Sequence, residues 1–397
     1  RVLSTGSIVA EPVAAGMAAE MGAEVIHIER PGGGEDWRHA EFPIEAPDGE
    51  QVASSWVQDR RNTYYTTLDF STPEGQEIFL NLIRRTDIWM ESSKARTYDK
   101  WGLDDAAILK ANPSIVICHV SGFGQDGDPE YVKRASYDFT AQAFGGMMNL
   151  AGNPDPDPPS RAVPWTADYI TALFCLWSSL AAYIHAQRTG EGQVIDLAQY
   201  EAVHRILSGT MVAYHELGMV RERAGNKAGN AQPWDTFRAK DGWVSPGLET
   251  GVQESTWLKV CELIGKPELV DDPKFTTQEA RRANQQDLLE VIGDWAGTKP
   301  KEEIYHTLQA LRTITGYVAT VEDLLVSRQF AHREFFRIVE DSVLGDIVHP
   351  GAPFRIDDTG WQLSRAPRLG EHNEEVLGGR LGLSPEELTQ LFSGDRA

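Results

Sequence analysis

One aspartate, Asp168, has the surroundings of a reactive carboxylate. It stands between a proline-rich segment, residues 153–164, and an uncharged apolar stretch that begins at Tyr169. The stretch predicts a helix, and the backbone N–H groups and positive dipole end of its first turn stabilise an anion. An aspartate there serves either as the N-cap of the helix or as a catalytic carboxylate. Position alone favours the N-cap, so a catalytic role needs separate support.

Cationic side chains follow two predicted strands at the point where each strand ends. Arg30 comes after one strand, and Lys94, Arg96 and Lys100 come after another. The carboxyl ends of parallel strands share one edge of a sheet, where phosphates are commonly held. A solvated basic surface is the alternative. Against a net charge of −22, two such clusters favour a site for an anionic ligand.

The segment Gly122–Gly127 fits the Gly-x-Gly-x-x-Gly pattern and follows an apolar strand. A dinucleotide site also needs a helix that opens at the third glycine and an acidic residue about 20 positions further on. Asp128-Pro129 interrupts the chain directly after Gly127, and no acidic residue lies near Asn149. We therefore predict a glycine loop at the sheet edge and no NAD, with a nicotinamide oxidoreductase as the alternative.

Other catalytic and metal-binding patterns do not occur in the sequence. No histidines have the spacing of a zinc site, and there is no Gly-x-Ser-x-Gly motif. The three cysteines, Cys118, Cys175 and Cys261, are far apart in apolar stretches and share no Cys-x-x-Cys spacing. They predict reduced core residues without a disulfide framework or a bound metal.

The elements that must position these residues alternate between helix and strand. Continuously apolar strands separated by helices are typical of a parallel sheet covered on both faces. We therefore predict the α/β class, with a Rossmann-like large domain built on an open parallel sheet and a smaller α+β domain. The strands predicted for this sheet are residues 2–3, 23–28, 64–70, 87–90, 115–118 and 194–197.

Length and composition indicate two or three domains in the 397 residues. The composition shifts to Arg, Gly, Asn and Ala around residues 218–233, as in a linker. We predict a large domain of residues 1–205 and 330–397, a linker of residues 206–225 and a small domain of residues 226–329.

Charge and hydropathy exclude several classes of protein. The net charge of −22 argues against a nucleic-acid surface. The longest uncharged apolar run, residues 169–184, has 16 residues, fewer than the roughly 18 that a membrane span needs. No signal-peptide pattern is present. We therefore predict a cytoplasmic protein that binds neither nucleic acid nor membrane.

Taken together, these segments resemble the family III CoA-transferases, the CaiB/BaiF family, along nearly the whole chain. The resemblance rests on ordered motifs at residues 22–30, 68–75, 87–102 and 365–372. Three segments are most similar to the carnitine CoA-transferase branch: Glu-Ser-Ser-Lys at 91–94, Ser-Gly-Phe-Gly-Gln at 121–125 and Thr-Ala-Asp-Tyr at 166–169.

The resemblance implies an enzyme that moves CoA from an acyl-CoA to a free carboxylic acid, with CoA as a substrate and no metal. Asp168 matches the family's nucleophile, which forms a mixed anhydride and then an aspartyl-CoA thioester. With an ordinary pKa near 3.9, this carboxylate would be ionised at pH 7 without a general base. The resemblance also implies an interlocked homodimer and a lid that keeps water from the anhydride.

By position, the resemblance implies the residues that contact CoA. Arg30, Lys94 and Lys100 match phosphate contacts, and Tyr137 lies near the thioester. The residues that match the lining of the adenine and pantetheine groups are Val9, Ala10, Leu68 and Phe70.

The chain departs from the family pattern in several places. Glu11 replaces the glycine common before Pro12, and the glycine-rich loop of formyl-CoA transferase is missing after residue 225. The racemase branch has Gly-His-Asp where this chain has Ser136-Tyr137-Asp138. A neutral tyrosine is a poor base for exchange of an α-proton. A racemase stays as an alternative, beside a non-catalytic CoA-binding subunit of a hetero-oligomeric transferase.

Overall fold

The computed structural model describes residues 1–226, 236–247, 254–357 and 360–392. Contacts divide the chain into two units, which we call the large unit (Arg1–Met147, Ala162–Ser208 and Ala331–Ala397) and the small unit (Met148–Arg161 and Gly209–Phe330).

The strands are β1 (Val2–Ser4), β2 (Val25–Glu29), β3 (Pro43–Glu45), β4 (Gln51–Ala53), β5 (Tyr64–Thr67), β6 (Ile88–Glu91), β7 (Val116–Ser121), β8 (Val194–Ala198), β9 (Phe237–Ala239), β10 (Gly242–Gly247), β11 (Ile314–Tyr317), β12 (Phe336–Asp341) and β13 (Gly345–Pro350). The α-helices are α1 (Ala10–Glu20), α2 (Ser54–Asp59), α3 (Pro73–Ile83), α4 (Asp105–Ala111), α5 (Pro129–Val132), α6 (Asp138–Phe144), α7 (Met147–Leu150), α8 (Thr166–Thr189), α9 (Gln199–Arg205), α10 (Thr210–Leu217), α11 (Glu254–Leu263), α12 (Gln278–Ala283), α13 (Gln285–Ala296), α14 (Lys301–Ala310), α15 (Val321–Leu325), α16 (Arg328–His332) and α17 (Pro385–Phe392). Short 3-10 helices span Asp36–His39, Tyr98–Trp101 and Pro267–Val270, and a π-helix spans Glu374–Arg380.

A parallel sheet of six strands in the order β5-β2-β1-β6-β7-β8 forms the centre of the large unit. Every neighbouring pair in it is parallel. Strands β1, β2, β6 and β7 are buried along their whole length, which is why most of their residues are apolar and the apolar residues occur on both faces. The predicted α/β class with an open parallel sheet is confirmed. The chain builds outward from β1 to β5 and then crosses to β6, so the topological switch point lies between β1 and β6.

Helices cover both faces of this sheet and form two apolar clusters. On one face α1 and α8 pack together over Val25, Met90 and Cys118. On the other face, α3 and α4 pack over Ile26 and Ile117 together with the C-terminal π-helix. Each large aliphatic or aromatic side chain buried this way contributes about 1.5–3 kcal/mol to stability. The two clusters therefore hold the strand ends, and the loops that follow them, in fixed positions.

Helix α8 has 24 residues and is, by length and composition alone, apolar enough to cross a membrane. The helix continues beyond the 16-residue uncharged run at both ends, so the run underestimates its length, and the absence of membrane binding stays a prediction. In the fold α8 packs along α1 and against β7, with Ala172 and Cys175 fully buried. A core helix of a globular unit meets the same criteria, so they do not by themselves indicate a membrane span.

The C-terminal segment returns to the large unit and covers the edge strand β5. The backbone N–H of His372 donates to Tyr65 O at 3.0 Å, and Tyr65 N–H donates to His372 Nδ1 at 3.0 Å. Asn373 Oδ1 accepts hydrogen bonds from Thr66 Oγ1 and from the Thr67 N–H. The side chains of two tail residues thus satisfy backbone groups that an edge strand otherwise leaves open.

The small unit contains an antiparallel sheet in the order β11-β10-β9, packed against α11, α13 and α14. Its bounds differ from the predicted ones. Residues 148–161 belong to it, and so does the part of the predicted linker from Gly209 onward, which contains α10. Residues 227–235, which include part of the composition shift and the place of the missing glycine-rich loop, lie outside the described residues.

Candidate active site

The loops that follow the parallel strands meet at the carboxyl edge of the sheet. The Ser7 N–H donates to Ser92 Oγ at 3.0 Å, which joins the loop after β1 to the loop after β6 at the switch point. The Gln125 N–H donates to both carboxylate oxygens of Asp196, which joins the loop after β7 to β8. Open α/β sheets bind ligands at this edge, beside the switch point.

Asp168 lies in the first turn of α8, but it is not the N-cap of that helix. The helix begins at Thr166, and the N-cap position belongs to Trp165, whose side chain makes no cap hydrogen bond. The side chain of Asp168 is buried, with 5% of the residue exposed. The N-cap interpretation is therefore wrong, and the carboxylate is turned to neighbouring side chains instead of its own backbone.

One oxygen of this carboxylate is held by a glutamine that directly follows β8. Gln199 Nε2 donates a short hydrogen bond to Asp168 Oδ1, and Gln199 Oε1 accepts one from Ser136 Oγ at 3.1 Å. Gln199 is the first residue of α9 and is buried. The serine thus fixes the orientation of the amide that contacts Asp168.

A second carboxylate, Asp138, caps the helix that carries Asp168. Its Oδ1 accepts hydrogen bonds from the backbone N–H groups of Ala167, at 2.7 Å, and Asp168, at 3.4 Å. Its Oδ2 accepts from Gln142 Nε2 at 2.7 Å. Asp138 is itself the first residue of α6, so the starts of two helices bring the two carboxylates together.

Burial and the neighbouring charge of Asp138 raise the pKa of Asp168 to about 7, against the hydrogen bond from Gln199, which lowers it. The expectation of an ordinary carboxylate, fully ionised at pH 7, is therefore wrong. A low-dielectric surrounding and a like charge both disfavour the ionised form. At neutral pH the group is divided between its two protonation states.

The predicted phosphate-binding cations lie on the surface at the carboxyl edge. Arg30 follows β2 and pairs with Asp36 at 2.9 Å, with both side chains largely exposed. Lys94 lies exposed in the loop after β6. Lys100 Nζ lies 4.0 Å from the centre of the Trp101 ring. Exposed pairs of this kind cost little to rearrange around an incoming anion. That these three residues bind phosphate stays a prediction.

The predicted apolar lining residues are less accessible. Val9 and Leu68 are fully buried in the two core clusters, and Ala10 is nearly so. Phe70 is half-buried against Phe79 and the 3-10 helix of Tyr98–Trp101. Tyr137, at the N-cap of α6 beside Asp138, is exposed. Contact of these five residues with a ligand stays a prediction.

Two buried charged residues that the sequence analysis did not single out, Glu35 and Arg60, hold the loop before α1. Ile8, in the loop before α1, has a left-handed backbone (φ +71°) that is rare for a β-branched residue. Its N–H donates to Glu35 Oε2 at 3.0 Å, and its carbonyl accepts from Arg60 Nη2. Arg60 and Glu35 are a buried ion pair with Nε and Oε1 2.8 Å apart. The pair therefore holds the loop of Ile8 in its strained shape.

His119, in the second half of β7, is a second buried charged group near this edge. Its Nδ1 lies 2.7 Å from Glu91 Oε1 and its Nε2 lies 2.9 Å from Asp105 Oδ1. Burial alone lowers the pKa of His119, but the hydrogen bonds to Asp105 and Glu91 raise it to about 10. Glu91 Oε2 also accepts the Ser93 N–H at 2.6 Å, so the group anchors the loop that contains Lys94.

The structure also describes the glycine segment and its surroundings, and the absence of bound NAD or metal stays a prediction. The helix after Gly127 is α5, which starts at Pro129 and has four residues. Gly122 lies against Ser136, where a Cβ at position 122 would be 2.3 Å from Ser136 Cβ. Across the described ranges of the chain, no group of three or more His, Cys, Asp and Glu side chains is placed to hold a metal ion.

Comparison with known proteins gives a consistent family. The sequence matches the profile of CoA-transferase family III over residues 1–373. It is 32% identical over 395 residues to the succinyl-CoA–L-malate CoA-transferase alpha subunit of Chloroflexus aurantiacus, which covers 99% of this chain and 90% of that protein. The beta subunit from the same species is 31% identical over 397 residues, covering 99% of this chain and 96% of that protein.

A bile acid CoA-transferase and a crystal structure of a CaiB/BaiF family protein are also similar to this chain. The bile acid CoA-transferase BaiK of Clostridium scindens is 34% identical over 395 residues, covering 98% of this chain and 86% of that protein. The crystal structure of a CaiB/BaiF family protein from Brucella suis is 29% identical with a TM-score of 0.86, covering 95% of this chain and 97% of that one.

Proposed function

The chain belongs to CoA-transferase family III, and from that membership we propose that it moves CoA from an acyl-CoA donor to a free carboxylic acid through Asp168. The observation that carries the proposal is the buried carboxylate of Asp168, held by Gln199 at the carboxyl edge of the parallel sheet. A group that must pass through an anhydride needs such shelter, because water would hydrolyse the intermediate.

The proposed reaction has four steps centred on this carboxylate. The ionised group attacks the thioester carbonyl, which gives a mixed anhydride and expels CoA thiolate. The thiolate attacks Cγ of Asp168, which gives an aspartyl-CoA thioester and releases the donor acid. The acceptor acid attacks Cγ and expels the thiolate again, which then attacks the acyl carbonyl of the new anhydride and frees the carboxylate. A carboxylate serves this role because an anhydride is as activated as a thioester.

The raised pKa of Asp168 suits a nucleophile that works at neutral pH. A basic carboxylate donates electrons more readily than one with a pKa near 3.8, provided that a fraction of it is ionised. With a pKa of about 7, that fraction is near one half at pH 7. Burial therefore makes the ionised carboxylate more reactive, while about half of the Asp168 side chains are still ionised at pH 7.

Mass spectrometry of a trapped intermediate tests the proposal. The enzyme is mixed with succinyl-CoA, quenched and digested, and the peptide that contains Asp168 is expected to carry the added mass of CoA. Asp168→Asn is expected to give no adduct and no transfer, while Asp294→Asn, an exposed aspartate of α13, behaves as the wild type. Turnover by Asp168→Asn overturns the mechanism. Exchange of an α-proton in deuterated water without an acceptor acid would support a racemase instead.

We propose that Arg30, Lys94 and Lys100 bind the phosphates of CoA, with Val9, Ala10, Leu68, Phe70 and Tyr137 along its adenine, pantetheine and thioester portions. Support comes from the exposure of the three cations at the carboxyl edge of a chain whose net charge is −22. An anionic ligand approaching such a protein depends on local cations.

We propose carboxylic acids as the donor and acceptor class, and a panel of such acids tests which of them the enzyme uses. Relatives are named for L-malate, succinyl-CoA and bile acids, and three motifs resemble the carnitine branch. Succinyl-CoA is the donor of choice for a first assay, with L-malate, a bile acid and carnitine as acceptors. A single acceptor with a far higher kcat/KM than the others would name the substrate.

We propose a homodimer, interlocked as the family resemblance implies, in the cytoplasm. Support for association comes from an exposed apolar stripe on α8, at helical spacing: Leu173, Trp177, Leu180 and Ile184. Stripes of this kind on a soluble protein mark interaction sites. Native mass spectrometry of the purified chain is expected to give twice the 44.0 kDa chain mass. A monomer that binds CoA without forming an adduct would support a subunit of a hetero-oligomer, as the alpha and beta names of two relatives suggest.

A further inference from the structure

The hydrogen bond between Gln199 and Asp168 has a defined direction, from the amide to the carboxylate. The ionised carboxylate only accepts hydrogen bonds, so in the form that acts as the nucleophile the amide presents Nε2 to Asp168 Oδ1. The other end of the amide, Oε1, then faces Ser136 Oγ at 3.1 Å, and the hydroxyl donates to it. Both ends of the glutamine are thereby bonded, and its N–H is aimed at one particular oxygen of the nucleophile.

We propose that Gln199 Nε2–H is an oxyanion donor, which stabilises the charge that develops on Asp168 Oδ1 each time Cγ of Asp168 becomes tetrahedral. The inference rests on the proposed function, because only a covalent aspartyl intermediate places negative charge on that oxygen. Ser136 acts as a positioning residue, since it touches the amide and not the reacting carboxylate.

The charge arises in the two middle steps of the proposed cycle. When the thiolate attacks the anhydride, the C–S bond forms and the electron pair of the Cγ carbonyl moves onto Oδ1. Collapse of this adduct returns the pair and breaks the bond from Cγ to the donor carboxylate, which leaves. When the acceptor acid attacks the aspartyl-CoA thioester, the same oxygen takes the charge, and the C–S bond breaks as thiolate leaves. Oδ2 forms the first anhydride bond and leaves with the donor acid, and an oxygen of the acceptor acid takes its place on Cγ, while Oδ1 is the oxygen that Gln199 contacts in each step.

The nearby backbone donors are already engaged elsewhere. The N–H groups of Ala167 and Asp168, at the start of α8, are bonded to Asp138 Oδ1. Asp138 therefore takes the helix N–H groups that would otherwise face the reacting carboxylate. Gln199 is buried and its amide is fixed by Ser136, so it needs no reorganisation when charge develops. Preorganised donors of this kind typically contribute about 100- to 1,000-fold to a rate.

The test compares Gln199→Met with the wild type, since methionine keeps the length of the side chain without the donor. We expect the single-turnover formation of the aspartyl-CoA adduct from succinyl-CoA to slow by about 100-fold, with KM for succinyl-CoA changed by less than about twofold. The midpoint of its pH profile is expected to rise, because the lost hydrogen bond stabilised the ionised carboxylate. Glu201→Gln, on the same helix α9, is the matched control and is expected to react as the wild type.

A second variant tests the same inference without a substitution at position 199, so a folding defect of Gln199→Met does not decide the result. Ser136→Ala leaves Gln199 in place but frees its amide, and we expect a smaller loss of about tenfold with the same direction of the pH shift. Adduct formation within about threefold of the wild type in both variants overturns the inference while leaving the proposed function intact. A wild-type enzyme that forms no adduct at Asp168 overturns the proposed function itself, so the two failures are distinguishable.

Discussion

Asp138 caps the helix of Asp168 from a different element, with its Oδ1 2.7 Å from the backbone nitrogen of Ala167, the residue before Asp168. The Asp138 carboxylate thus both fixes the start of α8 and places a like charge beside Asp168. Burial is the largest cause of the raised pKa of Asp168, and the charge of Asp138 is the next largest. The same residue therefore caps the helix and raises the pKa of the carboxylate that we propose as the nucleophile.

The first prediction concerns the pH dependence of adduct formation. In the wild type the rate is expected to rise with pH and to reach half its maximum near pH 7, because the attacking carboxylate must be ionised. Asp138→Asn keeps an oxygen that accepts from the helix N–H groups but removes the charge, so the midpoint is expected to move to lower pH. Single-turnover rates of adduct formation, recorded between about pH 5 and 9, give the pH midpoint of each variant. A midpoint that stays in place would contradict the coupling of the two carboxylates.

The second prediction concerns stability. The folded pKa of Asp168 lies above its unfolded value of 3.8, so the native state retains a proton that the unfolded chain has lost between these two pH values. Its contribution to stability therefore falls as pH rises from about 4 to 7. Asp168→Asn removes this penalty and is expected to raise Tm more at pH 8 than at pH 5.

Thermal unfolding at the two pH values checks this, with Asp294→Asn as the control for loss of one exposed charge. An equal change in Tm at both pH values would show that Asp168 titrates in its ordinary range.

The third prediction concerns the buried pair that holds the loop before α1. Arg60→Met leaves Glu35 buried without its cationic partner and releases the carbonyl of Ile8. A loss of about 3–5 kcal/mol in the free energy of unfolding is expected, as for other buried pairs with one partner removed. Because the loop follows β1 at the switch point, KM for acyl-CoA is expected to rise in the variant that still folds.

Urea denaturation and steady-state kinetics measure the two effects. The double variant Arg60→Met with Glu35→Met removes both charges and should recover part of the stability. No recovery would mean that the pair acts through packing alone.

The fourth prediction concerns the exposed cations. Arg30→Ala and Lys94→Ala are each expected to raise KM for acyl-CoA several-fold, while kcat changes by less than about twofold, because phosphate contacts are made equally in the ground and transition states. Higher salt should narrow the difference from the wild type. Lys259→Ala, an exposed lysine of α11, is the control. Unchanged kinetics in both variants would reject their assignment to phosphate.

Much of the large unit follows from local sequence patterns. Apolar strands separated by helices predict a parallel sheet, and a cation directly after a strand, such as Arg30 or Lys94, is thereby placed at its carboxyl edge. Resemblance to a family adds the proposal that Asp168 is the nucleophile. These predictions depend on periodicity and on neighbours along the chain, which a single sequence displays.

The rest depends on contacts between distant residues. Gln199 and Asp138 contact Asp168 from positions about 30 residues away, and Ser136 contacts Gln199; the packing of α6 and α9 against the start of α8 brings them together. No spacing rule marks a glutamine after β8 or a serine after the glycine loop. The pKa of Asp168 is likewise absent from the sequence, since burial and a neighbouring charge exist only once the helices have packed.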